Sequence, residues 1–265
     1  MSMVGYLKKI VSSRRLFKIN LIKTLAFNFI FFSFKEAMRL PVFVWGPLKI
    51  ASTQGKIELS APVKTGMFNL GVSDPVRSYA SKSYFRLEGL LVLGDKVTIR
   101  RGMRIHIEPG ATVTLEDHVF ISDNNTLISK KKISIGKATV IGNNSTFMDT
   151  DFHYLMNTNT GEVKNATGEI FIGESNWIGG YCTIKKGSRT PKGTILVGPY
   201  SMIGKDYCGR IPEFCIIAGC PAKCVSEGYR MINNLERERA VLNWFEENET
   251  SFFCKSNPDK FCMPQ

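Results

Sequence analysis

One histidine stands where the pattern of the sequence changes. His153 follows two acids in the stretch DTDFH, residues 149–153, and the chain contains only three histidines. Imidazole has an unperturbed pKa of about 6.5, so it is mostly neutral at physiological pH and can accept a proton. Asp149 or Asp151 could accept the other ring N–H and fix the tautomer, or could simply be a solvated loop acid. We favour Asp151 as the orienting residue.

The chain on both sides of this stretch repeats every six residues. An aliphatic residue opens each unit, often before glycine or an acid, as in LGDKVT from Leu93, IGKATV from Ile135 and IGGYCT from Ile178. This period matches neither a helix, at about 3.6 residues, nor a single strand, at about 2. It predicts short strands joined by tight corners, with three strands to a triangular coil and coils stacked about 4.8 Å apart.

The repeat is interrupted between Phe147 and Gly173, where we predict a loop extruded from the solenoid over residues 149–169. A solenoid wall is flat and rigid, whereas an extruded loop can form one side of a pocket. His106 and His118 lie within repeat units, so we read them as ordinary surface residues. His153 is therefore the candidate functional histidine.

The flanks predict three parts: a basic helical segment over 1–41, a solenoid domain over 42–227, and a C-terminal helix and tail over 228–265. The first part contains the apolar run LIKTLAFNFIFFSF, residues 21–34, which is too short and too interrupted to span a membrane. Such a segment either lies on an anionic membrane surface or packs against the rest of the protein. Its basic residues are Lys8, Lys9, Arg14, Arg15, Lys18, Lys23, Lys35 and Arg39.

Composition narrows the class of protein. With 43% hydrophobic and 22% charged residues, the 265-residue chain is globular, and its net charge of +12 implies anionic partners. The seven cysteines are odd in number, show no CxxC pair and have no histidine near Cys215, Cys220 and Cys224. Reduced thiols are therefore expected rather than a disulfide framework or a zinc site. No nucleic-acid-binding module is recognisable.

The hexads, the histidine loop and two longer stretches together resemble the hexapeptide-repeat acetyltransferases. These stretches are SNWIGGYCTIKKGSRTPKG, residues 175–193, and IIAGCPAKCV, residues 216–225. The basic N-terminal segment looks most like the exopolysaccharide and capsular polysaccharide O-acetyltransferases of this group. The resemblance implies a left-handed parallel β-helix, a trimer with active sites between subunits, and acetyl-CoA as co-substrate without a permanently bound cofactor.

The same resemblance implies roles for particular residues. His153 matches the general base that takes a proton from the acceptor hydroxyl as its oxygen attacks the acetyl thioester, and Asn124 and Asn125 match the acceptor side. The residues implied to hold CoA are Trp177, Gly179, Gly180, Gly204, Lys205 and Lys223. Ordinary structural roles are the alternative for these residues. The asparagines could form hydrogen bonds at corners, Trp177 could pack against neighbouring residues, and the lysines could be solvated surface charges. The implied enzyme is cytoplasmic and acetylates a hydroxyl of a polysaccharide or its precursor.

Three other functions fit parts of the sequence. A γ-class carbonic anhydrase shares the fold, but its third zinc histidine would fall at Thr158, so no metal site is predicted. A membrane-associated scaffold without catalysis would need neither CoA nor His153. An N-acetyltransferase acting on an amino sugar would use nearly the same chemistry, although the nucleotide-binding domain common in that group is absent from this sequence.

Overall fold

The computed structural model describes residues 19–73 and 82–264. The first five basic residues of the predicted N-terminal segment, from Lys8 to Lys18, lie outside these ranges. Within them, most strands pair with the strand three places later in the chain, so that three consecutive strands form one coil and each coil stacks on the one before it. Pairing is parallel except between the last two strands, which form a hairpin. The predicted parallel β-helix, with helical segments at both ends, is confirmed.

The strands form three sheets, A, B and C, which are the three sides of the prism. Sheet A comprises β1 (Val42–Val44), β4 (Phe68–Val72), β7 (Val97–Arg100), β10 (Phe120–Ile121), β13 (Val140–Ile141), β16 (Trp177–Ile178), β19 (Ile195–Val197), β21 (Cys215–Gly219) and β22 (Ala222–Glu227). Sheet B comprises β2 (Leu48–Thr53), β5 (Ser83–Leu87), β8 (Arg104–Ile107), β11 (Thr126–Ser129), β14 (Thr146–Met148), β17 (Thr183–Lys185) and β20 (Met202–Ile203). Sheet C comprises β3 (Lys56–Leu59), β6 (Leu90–Leu93), β9 (Thr112–Leu115), β12 (Lys132–Ile135), β15 (Ile170–Ile172) and β18 (Arg189–Thr190).

The six-residue period directs aliphatic side chains of most strands toward the prism axis. In sheet C, the register stacks Leu93 on Leu115, Leu115 on Ile135 and Ile135 on Ile172. Each of these four side chains is at most 1% exposed. A single coil could not bury such residues by itself, so stability comes from stacking neighbours.

The corners between sheets explain the glycines that follow the aliphatic positions. We name them the A–B, B–C and C–A corners after the sheets they join. At the A–B corner, a Cβ on Gly142 would lie 2.6 Å from the backbone nitrogen of Gly180 in the next coil. No side chain fits at that distance, so glycine is required for the coils to stack.

Two helices close the N-terminal end of the prism: α1 (Leu21–Phe31) and α2 (Phe34–Ala37). Asn28 of α1 donates to the carbonyl oxygen of Val42 at 2.7 Å and accepts from its N–H at 3.1 Å. Thr24 accepts from the N–H of Val44 at 3.0 Å, and Phe27 is fully buried against Phe85. Side chains of α1 thus satisfy the edge of β1 that has no strand beside it.

The C-terminal region contains α3 (Leu235–Glu247) and α4 (Pro258–Cys262). The C-terminal helix predicted within residues 228–265 begins at Leu235, because Asn234 accepts a bond from the backbone N–H of Arg237 and caps the helix there. Residues 229–234 are extended along the C–A corner, where Asn233 donates to the carbonyl of Ala138. No residue of α3 is buried.

Candidate active site

The loop over residues 149–169 leaves the prism at the B–C corner. The chain departs from sheet B after Met148 and enters sheet C at Ile170. Between them, antiparallel bridges join Thr150 to Thr167 and Met156 to Val163, so the loop is a two-armed finger. Its tip turns where Asn157 accepts bonds from the two residues that follow Thr158. Most of the finger is exposed, which suits a part that meets another molecule.

A buried acid holds the base of the finger. Asp149 is fully buried and accepts three hydrogen bonds: from Ser129 Oγ at 2.7 Å, Lys130 N at 2.7 Å and Lys131 N at 2.9 Å. These donors belong to the B–C corner of the preceding coil. The carboxylate therefore fastens the finger to the solenoid, and it is committed to this task rather than to the imidazole.

His153 is placed by a kink in the backbone. Phe152 has a φ of 60°, a left-handed conformation that a bulky residue rarely adopts, and its N–H is bonded to Thr150 Oγ1 at 2.9 Å. The Phe152 ring lies 4.9 Å from Lys130 Nζ in a cation–π contact. Beyond the kink, the exposed His153 lines a cleft of about 390 Å³.

The cleft brings Asp151 and Lys186 to His153, together with side chains from both arms of the finger. The Asp151 carboxylate lies 2.8 Å from Lys186 Nζ and 4.0 Å from Lys185 Nζ. Among the residues that the structure describes, no hydrogen bond joins this carboxylate to the imidazole. The structure thus brings Asp151 near His153, but its direct partners are Lys185, the last residue of β17, and Lys186, which follows it.

The remaining predicted residues divide between two corners. Gly204 and Lys205 follow β20 at the B–C corner, with Gly204 one coil beyond Lys185. The ammonium of Lys205 lies 5.1 Å from the ring centroid of Tyr207. The loop and these two residues therefore share one edge of the prism.

The A–B corner holds Asn124, Asn125, Gly179 and Gly180. Asn125 is fully buried, donating to the carbonyls of Ser122 and Gly142 and accepting from the N–H of Ser145. Its amide is thus used to stack the coils. Asn124 is half-buried and has a φ of 58°, as a tight corner requires.

Trp177 and Lys223 lie on sheet A. The Trp177 side chain is 38% exposed and borders a groove of about 1020 Å³ between this sheet and α3. Lys223 is exposed on β22, beyond the last complete coil. A single chain therefore does not gather Trp177 or Lys223 with His153.

Some residues at these corners were missed by sequence reasoning. Lys185 ends β17 and Lys186 follows it in the stretch IKKG, which the sequence analysis treated only as part of the repeat. Tyr181 and Tyr200 project from the A–B corner with ring centroids 6.2 Å apart and exposures of 49% and 76%. Both tyrosines occupy the corner position that Asn124 and Asn144 fill in earlier coils, so an aromatic residue at this place in the repeat is the signal that could have identified the pair.

The thiols lack the environment of a nucleophile. Cys182 is 1% exposed, and burial raises its pKa to about 11. A thiol with such a pKa stays protonated at neutral pH, and the thiolate is the nucleophilic form. Burial is also the main cause that raises the pKa of Cys215 to about 11. Neither side chain suits a covalent acyl intermediate.

The chain is similar to known acyltransferases in sequence and in fold. No protein-family profile matches the chain. A curated relative, the putative lipopolysaccharide biosynthesis O-acetyl transferase WbbJ of Escherichia coli K12, is 26% identical over 152 residues, covering 54% of this chain and 75% of that protein. Among solved structures, the N-acyltransferase AntD of Bacillus cereus, in complex with dTDP and 3-hydroxybutyryl-CoA, is 16% identical with a TM-score of 0.46, over 82% of this chain and 98% of that one. The polysialic acid O-acetyltransferase OatWY is 23% identical with a TM-score of 0.37, over 75% and 95%.

Proposed function

We propose that this chain, a hexapeptide-repeat acetyltransferase related to the polysaccharide O-acetyltransferases, moves an acetyl group from acetyl-CoA to a saccharide hydroxyl. The observation that carries the proposal is the buried anchoring of a histidine-bearing finger on a β-helix whose curated relative is an O-acetyl transferase. Acetyl-CoA acts as co-substrate and leaves as CoA, so no permanent cofactor is required.

In the proposed reaction, His153 accepts the proton of the acceptor hydroxyl while that oxygen attacks the thioester carbonyl. The tetrahedral intermediate collapses, the carbon–sulfur bond breaks, and the imidazolium returns its proton to the departing CoA sulfur. Both substrates are bound at once. The buried, protonated Cys182 supports this direct route, because the thiol that lies closest to the predicted donor residues cannot supply a thiolate.

We assign Asp151 a positioning role. Its ion pair with Lys186 ties the His153 kink to β17, in the coil above the finger. This contact limits how far the imidazole can move relative to the solenoid wall, and precise placement of a base is what makes it effective. The lysine pair also adds positive charge beside the cleft, which suits an acceptor or donor that carries phosphate.

The donor side is proposed to be completed by a second copy. Trp177 and Gly179 lie along sheet A and the A–B corner, whereas His153 projects from the B–C corner. This separation supports a homotrimer in which the finger of one chain reaches the donor residues of its neighbour. Gly204, Lys205 and Lys223 remain the proposed holders of CoA phosphates, and Asn124 remains on the proposed acceptor side.

The proposed location is the cytoplasm, where acetyl-CoA is available, with peripheral contact at the inner face of the membrane. No helix within 19–73 or 82–264 has both the length and the apolar character needed to cross a bilayer.

Transfer from acetyl-CoA to a panel of saccharides tests the proposal, with acetylated product measured by mass spectrometry. His153→Ala should lower the transfer rate by about 10²–10⁴ while CoA still binds in calorimetry. His106→Gln, a histidine change on β8 two coils below the strand from which the finger leaves, is the matched control and should transfer at the parental rate. If His153→Ala transfers acetyl at the parental rate, His153 is not the general base. If the parent does not bind CoA, acetyl-CoA is not the donor.

Two further experiments test which group of the acceptor is acetylated and whether the active site lies between subunits. An O-acetyl ester is removed by mild base and an N-acetyl amide is not, so product lability distinguishes hydroxyl from amine acceptors. Mixing His153→Ala with Trp177→Ala subunits should restore part of the activity if each site uses residues of two chains. Failure of such mixed oligomers to gain activity would contradict the intersubunit site.

A further inference from the structure

Helix α1 is apolar on two opposite faces. Thr24, Phe27, Asn28 and Phe31 face the first coil. On the other side, Ile22 is 82% exposed, Leu25 47% and Phe29 43%. A helix on the surface of a soluble protein normally presents polar residues outward. The outward face of α1 therefore lacks a partner among the described residues.

The exposed apolar surface continues into α2. We name it the cap face, and it consists of Leu21, Ile22, Leu25, Phe29, Phe34 and Met38. Phe34 and Met38 are 73% and 61% exposed, and the Phe34 ring lies 5.9 Å from that of Phe29. Large contiguous apolar surface of this kind marks a site of contact with another body.

The composition of residues 1–41 favours a particular partner. Residues 1–41 contain eight lysines and arginines (Lys8, Lys9, Arg14, Arg15, Lys18, Lys23, Lys35 and Arg39) and a single acid, Glu36. Glu36 is engaged by Ser33, whose hydroxyl lies 2.6 Å from its carboxylate. Two copies meeting through this region would bring like charges together, whereas an anionic lipid surface complements both the charge and the apolar side chains.

We propose that the cap face docks on an anionic lipid bilayer, so that the β-helix stands end-on with its first coil toward the membrane. In this orientation Ile22, Phe29 and their neighbours enter the boundary between headgroups and acyl chains. The exposed Lys35 and Arg39 contact the lipid headgroups. The inward residues Thr24 and Asn28 keep their bonds to β1, so docking needs no rearrangement of the cap.

End-on docking also fixes the height above the membrane at which an acceptor must reach the finger. This part of the inference rests on the proposed function. The finger leaves β14, and four coil steps separate that coil from the first one. At about 4.8 Å per step, the finger stands on the order of 20 Å above the first coil. Helix α1, about 10 Å across, lies between that coil and the membrane, so the finger stands about 30 Å above the cap face. An acceptor at that height matches a saccharide of several units whose far end is anchored in the same bilayer by a lipid.

Vesicle sedimentation of the full chain tests the docking. The parent should sediment with vesicles of phosphatidylcholine and phosphatidylglycerol in equal parts, and far less with phosphatidylcholine alone. Added salt should weaken the binding because it screens the basic residues. The double variant Ile22→Ser/Phe29→Ser should partition at least about tenfold less, since it removes two large apolar groups from the contact.

The matched control changes two exposed apolar residues of α3, Leu242→Ser/Phe245→Ser, whose exposures of 60% and 48% are comparable. This control should bind vesicles like the parent. Circular dichroism and thermal unfolding verify that both variants fold. The proposal is overturned if the parent ignores anionic vesicles, if the cap variant binds equally well, or if the cap variant changes oligomeric state, which would make the face an interface between copies.

The two proposals fail independently. The cap variant should keep the parental rate of acetyl transfer to a soluble saccharide, because no residue of the cap face belongs to the proposed active site. Loss of vesicle binding with transfer retained concerns docking alone. Vesicle binding by a protein that neither binds CoA nor transfers acetyl would leave docking in place and remove the enzymatic function.

Discussion

The two acids of the DTDFH stretch should differ sharply in their effect on stability. Asp149 is fully buried and accepts three hydrogen bonds, whereas Asp151 forms an ion pair with Lys186 in which the side chains are 29% and 26% exposed. We consider Asp149→Ala beside Asp151→Ala. Each removes one carboxylate from the same loop, two residues apart, so the comparison isolates burial and bonding.

The magnitude follows from the three bonds. A hydrogen bond to a charged group contributes about 1.5–3 kcal/mol, so that Asp149 accounts for roughly 4.5–9 kcal/mol before relaxation. The N–H groups of Lys130 and Lys131 lie at a solvent-facing corner and can regain water in the variant, whereas the buried Ser129 hydroxyl cannot. We therefore expect a net loss of about 3 kcal/mol. For a chain of this size, that loss corresponds to roughly 6–12 °C in Tm.

Asp151→Ala should cost about 1 kcal/mol or less, because partly exposed ion pairs contribute little to stability. Thermal unfolding followed by circular dichroism measures both variants, and chemical denaturation checks the free energies. Limited proteolysis should also cut the finger of Asp149→Ala faster, since its anchor is lost. A Tm for Asp149→Ala within about 2 °C of the parent would refute the reasoning that this carboxylate fastens the finger.

Three other expectations concern the solenoid, a thiol and the cap. Gly142→Ala should lower the free energy of unfolding in denaturant by several kcal/mol, on the order of an overpacked core, because its Cβ would meet the backbone of Gly180 at 2.6 Å. Cys182 should resist alkylation of the folded protein up to about pH 10, since burial raises its pKa to about 11 and the thiolate forms only near that pH. Asn28→Ala should cost about 2–3 kcal/mol and speed amide exchange at Val42, because it leaves the edge of β1 without its side-chain partners.

Each of these three predictions has a control within the same protein. Gly204→Ala, whose added Cβ would have its nearest neighbour at 3.6 Å, should leave the unfolding curve unchanged; equal losses for both glycine variants would contradict the stacking argument. Cys220 and Cys254 are exposed and should be alkylated first, and early labelling of Cys182 would show that the site opens. Faster exchange throughout the prism in Asn28→Ala, rather than at the first coil, would contradict a local capping role.

The sequence determined the repetitive part of this protein because the period of a β-helix is local. Every unit must supply an aliphatic residue to the axis and a small residue at the corner, so Leu93, Leu115, Ile135 and Ile172 could be recognised without coordinates. The interruption after Phe147 likewise marked the loop, since residues that leave the wall no longer need to satisfy the axis. His153 was identifiable for the same reason.

What each polar side chain does was decided only by tertiary structure. Asp149 and Asp151 look equivalent in DTDFH, but the corner of the preceding coil buries one and β17 draws the other to Lys186. Asn125 was a candidate for the acceptor side, and its amide proved to be used between coils. Such partners lie some 17–35 residues away along the chain, and no local pattern encodes them.

The two faces of α1 show the same difference between what the sequence predicts and what the tertiary structure decides. Its sequence shows apolar residues on all sides, which predicts a helix that is buried or that contacts a membrane. Only the position of β1 decides which face is inward: Thr24 and Asn28 turn toward the unpaired strand edge because its N–H and C=O groups need partners. Ile22 and Phe29 are left outside as a geometric consequence, and that exposure is a property of the folded chain rather than of the sequence.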